Sequence, residues 1–160
     1  MKYPEFFKIL TFALLMWTAP QCFSQTQEQL NNLSAFLDKG IQELGRVNMN
    51  LLQMNDPSTS VEPSLTHAID LVTTVDHAMG RVNIYVGVAT LMAYEADLKM
   101  VKSMLQGEVR NARKITEFCI SKINIVLPKL KSPAVILEVQ RARDQIVKIQ
   151  VEIDRSMSGN

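Results

Sequence analysis

The sequence predicts an all-α protein, an antiparallel four-helix bundle, from three observations. Apolar residues return at helical spacing over most of the chain beyond residue 25. Each periodic segment has one continuous apolar seam, and only short polar connections separate the segments. Short connections bring successive helices together in opposite directions. The alternative is an extended helical hairpin or coiled coil, which would form if the second and third helices were continuous.

The N-terminal segment, residues 1–24, has the features of a cleavable signal peptide. A positively charged start precedes the apolar run Ile9–Trp17, and the small residues Cys22 and Ser24 stand just before the expected cleavage site. We therefore expect an exported protein, periplasmic or secreted. The mature chain would be a single helical domain covering residues 25–160.

The first helix is predicted at about 26–54, where two seven-residue series of apolar positions form a continuous seam. One series contains Leu30, Leu37, Leu44 and Leu51, and the other contains Leu33, Val47 and Met54. Gly40 occupies an empty place in the second series. Thr26 is the expected N-cap, with Gln29 at the third helical position. The polar segment from Asn55 to Pro63 ends the helix.

The second helix is predicted at about 64–106, with its end at Gly107. Its central run Val82–Tyr94 carries no charge and needs cover on nearly every side. At about 20 Å the run is too short for the ~30 Å hydrocarbon core of a bilayer. We expect it either at the centre of a bundle or against a second protein. Strand-favouring residues from Ile84 to Thr90 leave a short buried strand as the alternative.

Small residues along this second helix predict a face where another helix approaches closely. Gly80 and Gly87 contribute to the small-residue pattern. The predicted interaction face consists of Val82, Val86, Ala89, Ala93 and Ala96.

The third and fourth helices are predicted at about 108–127 and 133–156. Pro128 cannot lie undisturbed in a helix interior, so we expect an end or kink at Leu127. Ser132 and Pro133 together are typical of a helix start.

Charge divides the mature chain into two halves. Residues 25–97 have three basic and nine acidic side chains, and residues 98–160 have twelve basic and six acidic. Mutual attraction of the folded halves is the simpler interpretation. The functional interpretation is a basic face for phosphate or another anionic surface, although export disfavours nucleic acid as a partner. The face would consist of Arg110, Arg113, Lys114, Lys122, Lys129, Lys131, Arg141 and Arg143.

No spacing of reactive residues predicts an enzyme, a metal site or a cofactor. His67 and His77 do not share a helix face squarely, and the sequence near them has no zinc-binding pattern. Cys119 lies on an apolar seam and is expected to be a buried free thiol, or else paired with another molecule. An apolar cavity lined by Met92, Met100 and Met104 would suit a flexible ligand site.

We therefore expect a non-enzymatic helical bundle that binds a protein partner or forms a homo-oligomer. Such a protein would be an interaction or structural module of the cell envelope or the secreted space. The alternative function is a carrier of a small apolar ligand such as a lipid.

Overall fold

Four α-helices make up nearly all of the chain that the computed structural model describes, which is residues 26–55, 62–92 and 95–157. The helices are α1 (Gln27–Met54), α2 (Pro63–Leu91), α3 (Glu95–Val126) and α4 (Pro133–Met157), and a 3-10 turn, Leu127–Lys129, follows α3. These ranges contain no strand. The all-α prediction is confirmed, and the strand alternative for Ile84 to Thr90 is wrong.

Helices α1 and α2 run antiparallel, as their hydrogen bonds show. Asn48 Nδ2 donates to Thr73 Oγ1 at 2.9 Å and Asn55 Nδ2 to Thr66 Oγ1 at 3.4 Å, so partner numbers rise on one helix and fall on the other. The same holds for α1 and α4, where Asn50 Nδ2 donates to Glu138 Oε2 at 3.4 Å and Gly40 lies against Ile149.

The four helices close a ring. Helix α1 packs on α2 and α4, α3 packs on α2 and α4, and the α3–α4 contact is the least extensive of the four. The predicted antiparallel four-helix bundle is therefore confirmed, and the extended hairpin is wrong. None of the helices in the described ranges is both long enough and apolar enough to cross a bilayer.

The predicted apolar seams form the core. The four leucines of the first series on α1 are almost completely buried, at positions 30, 37, 44 and 51. Helix α4 buries six apolar residues at helical spacing: Val135, Val139, Ala142, Ile146, Ile149 and Ile153. Because full burial of such a side chain contributes about 1.5–3 kcal/mol, these seams supply most of the driving force for folding.

Local signals start and stop the helices near the predicted positions. Thr26 Oγ1 accepts a hydrogen bond from Gln29 N at 3.2 Å, and Gln29 Oε1 accepts one from Thr26 N at 2.8 Å. These reciprocal bonds satisfy two of the backbone N–H groups that a helix start leaves open. Helix α3 ends at Val126, two residues before Pro128, and α4 begins at Pro133.

The predicted bounds of the second and third helices are wrong. The predicted helix 64–106 ends at Leu91, α3 begins at Glu95, and α3 continues through Gly107. The break makes the four helices similar in length, at 28, 29, 32 and 25 residues, so all of them share one core. Gly107 is an exposed residue inside α3 and does not end a helix.

Close helix approach occurs at Gly40 and not at the predicted glycines of α2. A Cβ atom on Gly40 would lie 2.9 Å from Ile149 Cγ1 on α4, whereas one on Gly80 or Gly87 would meet nothing within 4 Å. The empty place in the α1 seam is thus a point of close contact between α1 and α4.

Candidate interaction surfaces

The inward side of the uncharged run on α2 belongs to the core of this bundle. Val82, Val86 and Ala89 are fully buried. Ala93 and the side chain of Ala96 lie outside the described residues. The run was expected either at the centre of a bundle or against a second protein, and Val82, Val86 and Ala89 lie at the centre of this bundle. These three residues are not available to a second protein.

The outward side of the same run is exposed and apolar. Leu91 is 82% exposed and Ile84 is 65% exposed, and neither is needed to complete the core. Tyr85 and Val88 are half-buried between the outer surface and the core. A helix that is apolar on every side is normally buried on every side, whereas α2 is buried on one side only. The outer residues of α2 are therefore the part of the run that the fold does not explain.

The apolar surface continues from α2 onto α3. Arg81 Nε lies 3.3 Å from Glu108 Oε2, which fixes the register of the two antiparallel helices. One turn further, Tyr85 on α2 is level with Met104 on α3, and Met100 follows one turn beyond Met104. We call this surface the hairpin patch. Its members are Ile84, Tyr85, Val88, Leu91, Met100 and Met104.

The methionines of the predicted cavity differ in their exposure. Met100 and Met104 are about half exposed on the outer side of α3, and Met92 is partly buried against the core. Met100 and Met104 therefore belong to the surface of the bundle, and the apolar cavity stays a prediction.

The predicted basic face is divided into paired and unpaired groups. The Arg141 guanidinium is bonded to the Glu138 carboxylate, and Arg143 Nη1 lies 3.8 Å from Asp144 Oδ1. Arg113 Nε donates to Glu117 Oε1 at 3.0 Å, and its Nη1 lies 3.7 Å from Asp154 Oδ1. The Glu117 hydrogen bond and the Asp154 charge raise the pKa of Arg113. These three arginines are locally neutralised.

The unpaired basic side chains lie on the outer side of α3. Arg110 and Lys114 are exposed, and Lys122 Nζ lies 5.3 Å from the centre of the Phe118 ring. That separation is a cation–π contact. Phe118 is itself 57% exposed, so an aromatic ring and a basic group stand together at the surface.

The chain matches no known protein family, and neither a similar characterised protein nor a similar solved structure was found.

The reactive side chains are not gathered at one place. Cys119 is a fully buried free thiol, as predicted, and burial raises its pKa. His67 and His77 are exposed on α2. In the three described ranges, no group of three or more His, Cys, Asp or Glu side chains is arranged to hold a metal ion.

A polar seam lies between α1 and α2. Asn83 Nδ2 donates to Asp38 Oδ1 at 2.6 Å, and Asn83 Oδ1 accepts from Ser34 Oγ at 3.4 Å. Further along, Asp76 Oδ1 is buried without a hydrogen-bond partner, and burial raises the pKa of Asp76 although the neighbouring His77 charge opposes the shift. The seam fixes the pairing of the two helices and leaves one carboxylate oxygen unsatisfied.

The hairpin patch was only partly visible in the sequence. The absence of charge from Val82 to Tyr94 was the available signal, but it did not separate the inward residues from the outward ones. The contribution of α3 was missed, since Met100 and Met104 were expected to face an internal cavity.

Proposed function

We propose that the protein is an exported, non-enzymatic helical bundle that binds another protein chain through the hairpin patch. In this role it is an interaction or structural module of the cell envelope or the secreted space. The observation that carries the proposal is the exposure of Leu91 and Ile84, at 82% and 65%, on a surface without a charged member.

The composition of the hairpin patch and its polar border support this role. Single exposed apolar residues are ordinary, but a contiguous apolar surface with a polar border is typical of protein–protein contact. The ion pair between Arg81 and Glu108 stands at one edge of the patch. Flexible methionines such as Met100 and Met104 suit a surface that adapts its shape to a partner.

The distribution of reactive groups supports a non-enzymatic role. The buried Cys119 thiol has a raised pKa, which disfavours the thiolate that nucleophilic catalysis needs. His67 and His77 are exposed on α2, whereas Cys119 is fully buried in the core. A nucleophile and its base would need to lie within hydrogen-bond reach.

The first test is site-specific photo-crosslinking in the compartment to which the protein is exported. We expect a photoreactive residue in place of Leu91 to yield a defined crosslinked protein, either a second copy or a distinct partner. The same residue in place of Val151, which is 60% exposed on α4, is the matched control and should yield no such product.

The second test is the mass of the assembly under native conditions. We expect the double variant Leu91→Gln, Met104→Gln to release the partner while Val151→Gln retains it. Equal crosslinking from positions 91 and 151, together with an unchanged assembly in the double variant, would overturn the proposed contact.

Export has its own test. We expect N-terminal sequencing of the protein recovered outside the cytoplasm to begin at Gln25. A chain that retains residues 1–24 and stays in the cytoplasm would contradict the export part of the proposal without affecting the contact surface.

A further inference from the structure

The C-terminal half of α3 and the turn after it carry an excess of positive charge. Residues 110–131 contain six basic side chains and a single acidic one, Glu117. The Glu117 carboxylate is bonded to Arg113, so it does not neutralise the others. Within the described residues, no ion pair involves Lys114, Lys122 or Lys129.

Basic and apolar side chains alternate along one outer line of this segment. We call this line the basic stripe. Its members are Lys114, Phe118, Lys122, Ile125 and Lys129. The first four are separated by intervals of three or four residues, which places them on one side of α3. Lys129 continues the line in the 3-10 turn Leu127–Lys129.

The basic stripe faces away from the core. Phe118 is 57% exposed and Ile125 is 50% exposed, while Cys119 and Ile123 on the opposite side of the same helix are fully buried. Packing inside the bundle therefore gives no reason for an aromatic and a branched apolar residue at positions 118 and 125. An outer face that combines lysines with Phe and Ile is typical of helices that lie on a membrane surface.

We propose that the basic stripe docks the protein on the surface of a bilayer that contains anionic phospholipid. The lysine ammonium groups contact lipid phosphates, and the side chains of Phe118 and Ile125 enter the boundary between headgroups and acyl chains. Charge complementarity selects this occupant, because every charged member of the stripe is a lysine and an anionic bilayer presents many phosphates along the whole stripe.

This surface is separate from the hairpin patch. Phe118 lies about 20 Å along α3 from Met104, the nearest member of the patch. The protein can therefore hold a partner at one end of α3 while the other end lies on lipid. The inference goes beyond the proposed function and does not depend on it.

The experiment is co-sedimentation of the mature chain with vesicles. One set contains phosphatidylcholine and phosphatidylglycerol, and the other contains phosphatidylcholine alone. We expect binding to the anionic vesicles that weakens at high salt, with little binding to the neutral ones. Each lysine near an anionic surface contributes about fivefold, so Lys114→Gln, Lys122→Gln, Lys129→Gln combined should weaken binding about 100-fold.

The apolar contribution is tested in parallel. The double variant Phe118→Ser, Ile125→Ser should weaken binding at both low and high salt, because it removes the salt-independent part. Matched controls on α4 are Lys148→Gln for charge and Val151→Ser for apolar exposure, and both should bind as the wild type does. Thermal unfolding followed by circular dichroism establishes that every variant is folded.

The outcomes separate this inference from the proposed function. The triple lysine variant should keep the native assembly, and the hairpin variant Leu91→Gln, Met104→Gln should keep vesicle binding. Equal binding to neutral and anionic vesicles, or unchanged binding by the triple lysine variant, would overturn the membrane contact. Capture of an acidic protein by the stripe without any vesicle binding would overturn it as well.

Discussion

Gly40 of α1 meets Ile149 of α4 so closely that a Cβ atom on Gly40 would lie 2.9 Å from Ile149 Cγ1 and 3.0 Å from Ile149 Cδ1. Ile149 is fully buried, so its side chain has little room to turn away. We expect Gly40→Ala to lower the free energy of unfolding by about 1–3 kcal/mol, the usual cost of overpacking a core. Urea denaturation measures the change.

The matched control for this prediction is Gly107→Ala. Gly107 is also inside a helix, but a Cβ atom there would meet nothing within 4 Å. We expect this variant to gain about 0.4–1 kcal/mol because alanine restricts the unfolded chain. If Gly40→Ala were as stabilising as Gly107→Ala, α1 and α4 would be able to move apart and accommodate the added methyl group. The close contact of Gly40 with Ile149 would then not limit the residue at position 40.

The fold was predictable because burial imposes its period on the sequence. The leucines of α1 and the isoleucines of α4 return at the spacing that one buried face requires, and the structure buries them. The break between Leu91 and Glu95 was not predictable in the same way. No proline or glycine occupies positions 92–94, so the sequence carries no helix-breaking residue between the two helices. The end at Leu91 and the start at Glu95 leave four helices of similar length around one core.

The break between Leu91 and Glu95 also decides which side chains of α3 face outward. Met100 and Met104 were expected to line an internal cavity because one continuous helix was predicted across positions 92–94. Helix α3 starts again with its own phase, so Met100 and Met104 point outward. Composition alone identified the uncharged run and the basic segment, but only the packing shows which side of each helix remains open.

We expect the carboxyl group of Asp76 to make the protein less stable as the pH rises. Its Oδ1 is buried without a hydrogen-bond partner, and burial raises the pKa of the carboxyl group above its ordinary value of 3.8. At pH values between the ordinary pKa, which applies in the unfolded state, and the raised pKa of the folded state, the folded state binds more protons than the unfolded state. The Asp76 contribution to stability therefore falls as pH rises through this window, and at neutral pH the charged form is destabilising.

We expect Asp76→Asn to raise the melting temperature at pH 7 and to have a smaller effect near pH 4. Asp70→Asn changes one exposed carboxylate on the same helix and serves as the control. Calorimetry at both pH values measures the difference between the two variants. A loss of stability at pH 7 in Asp76→Asn would mean that the carboxylate has a favourable partner.

Glu138 on α4 is nearly buried, whereas Arg141, to which it is bonded, is largely exposed. The arginine compensates a carboxylate that Asn50 Nδ2 also approaches, at 3.4 Å. We expect Arg141→Met to destabilise the protein by about 1–3 kcal/mol because it leaves the buried charge uncompensated. Glu138→Met removes that charge and should cost less, since an apolar side chain suits this interface.

A double-mutant cycle of Glu138→Met and Arg141→Met checks this asymmetry by urea denaturation. The double variant should be more stable than Arg141→Met alone. Equal losses of unfolding free energy in the two single variants, with an additive loss in the double variant, would show that Glu138 does not depend on Arg141.

Cys119 gives the most direct measure of how tightly the core is closed. The thiol is fully buried and burial raises its pKa, so the reactive thiolate is disfavoured twice, by access and by charge. We expect Cys119 of the native protein to react with a thiol reagent only when the bundle opens, and to form no disulfide-linked dimer on a non-reducing gel. A control with Val151→Cys in a Cys119→Ala background places the thiol at the surface and should react at once. Rapid labelling of the native wild type would show that the α3 seam opens locally, because Ile123 and Val126 cover the same side of that helix.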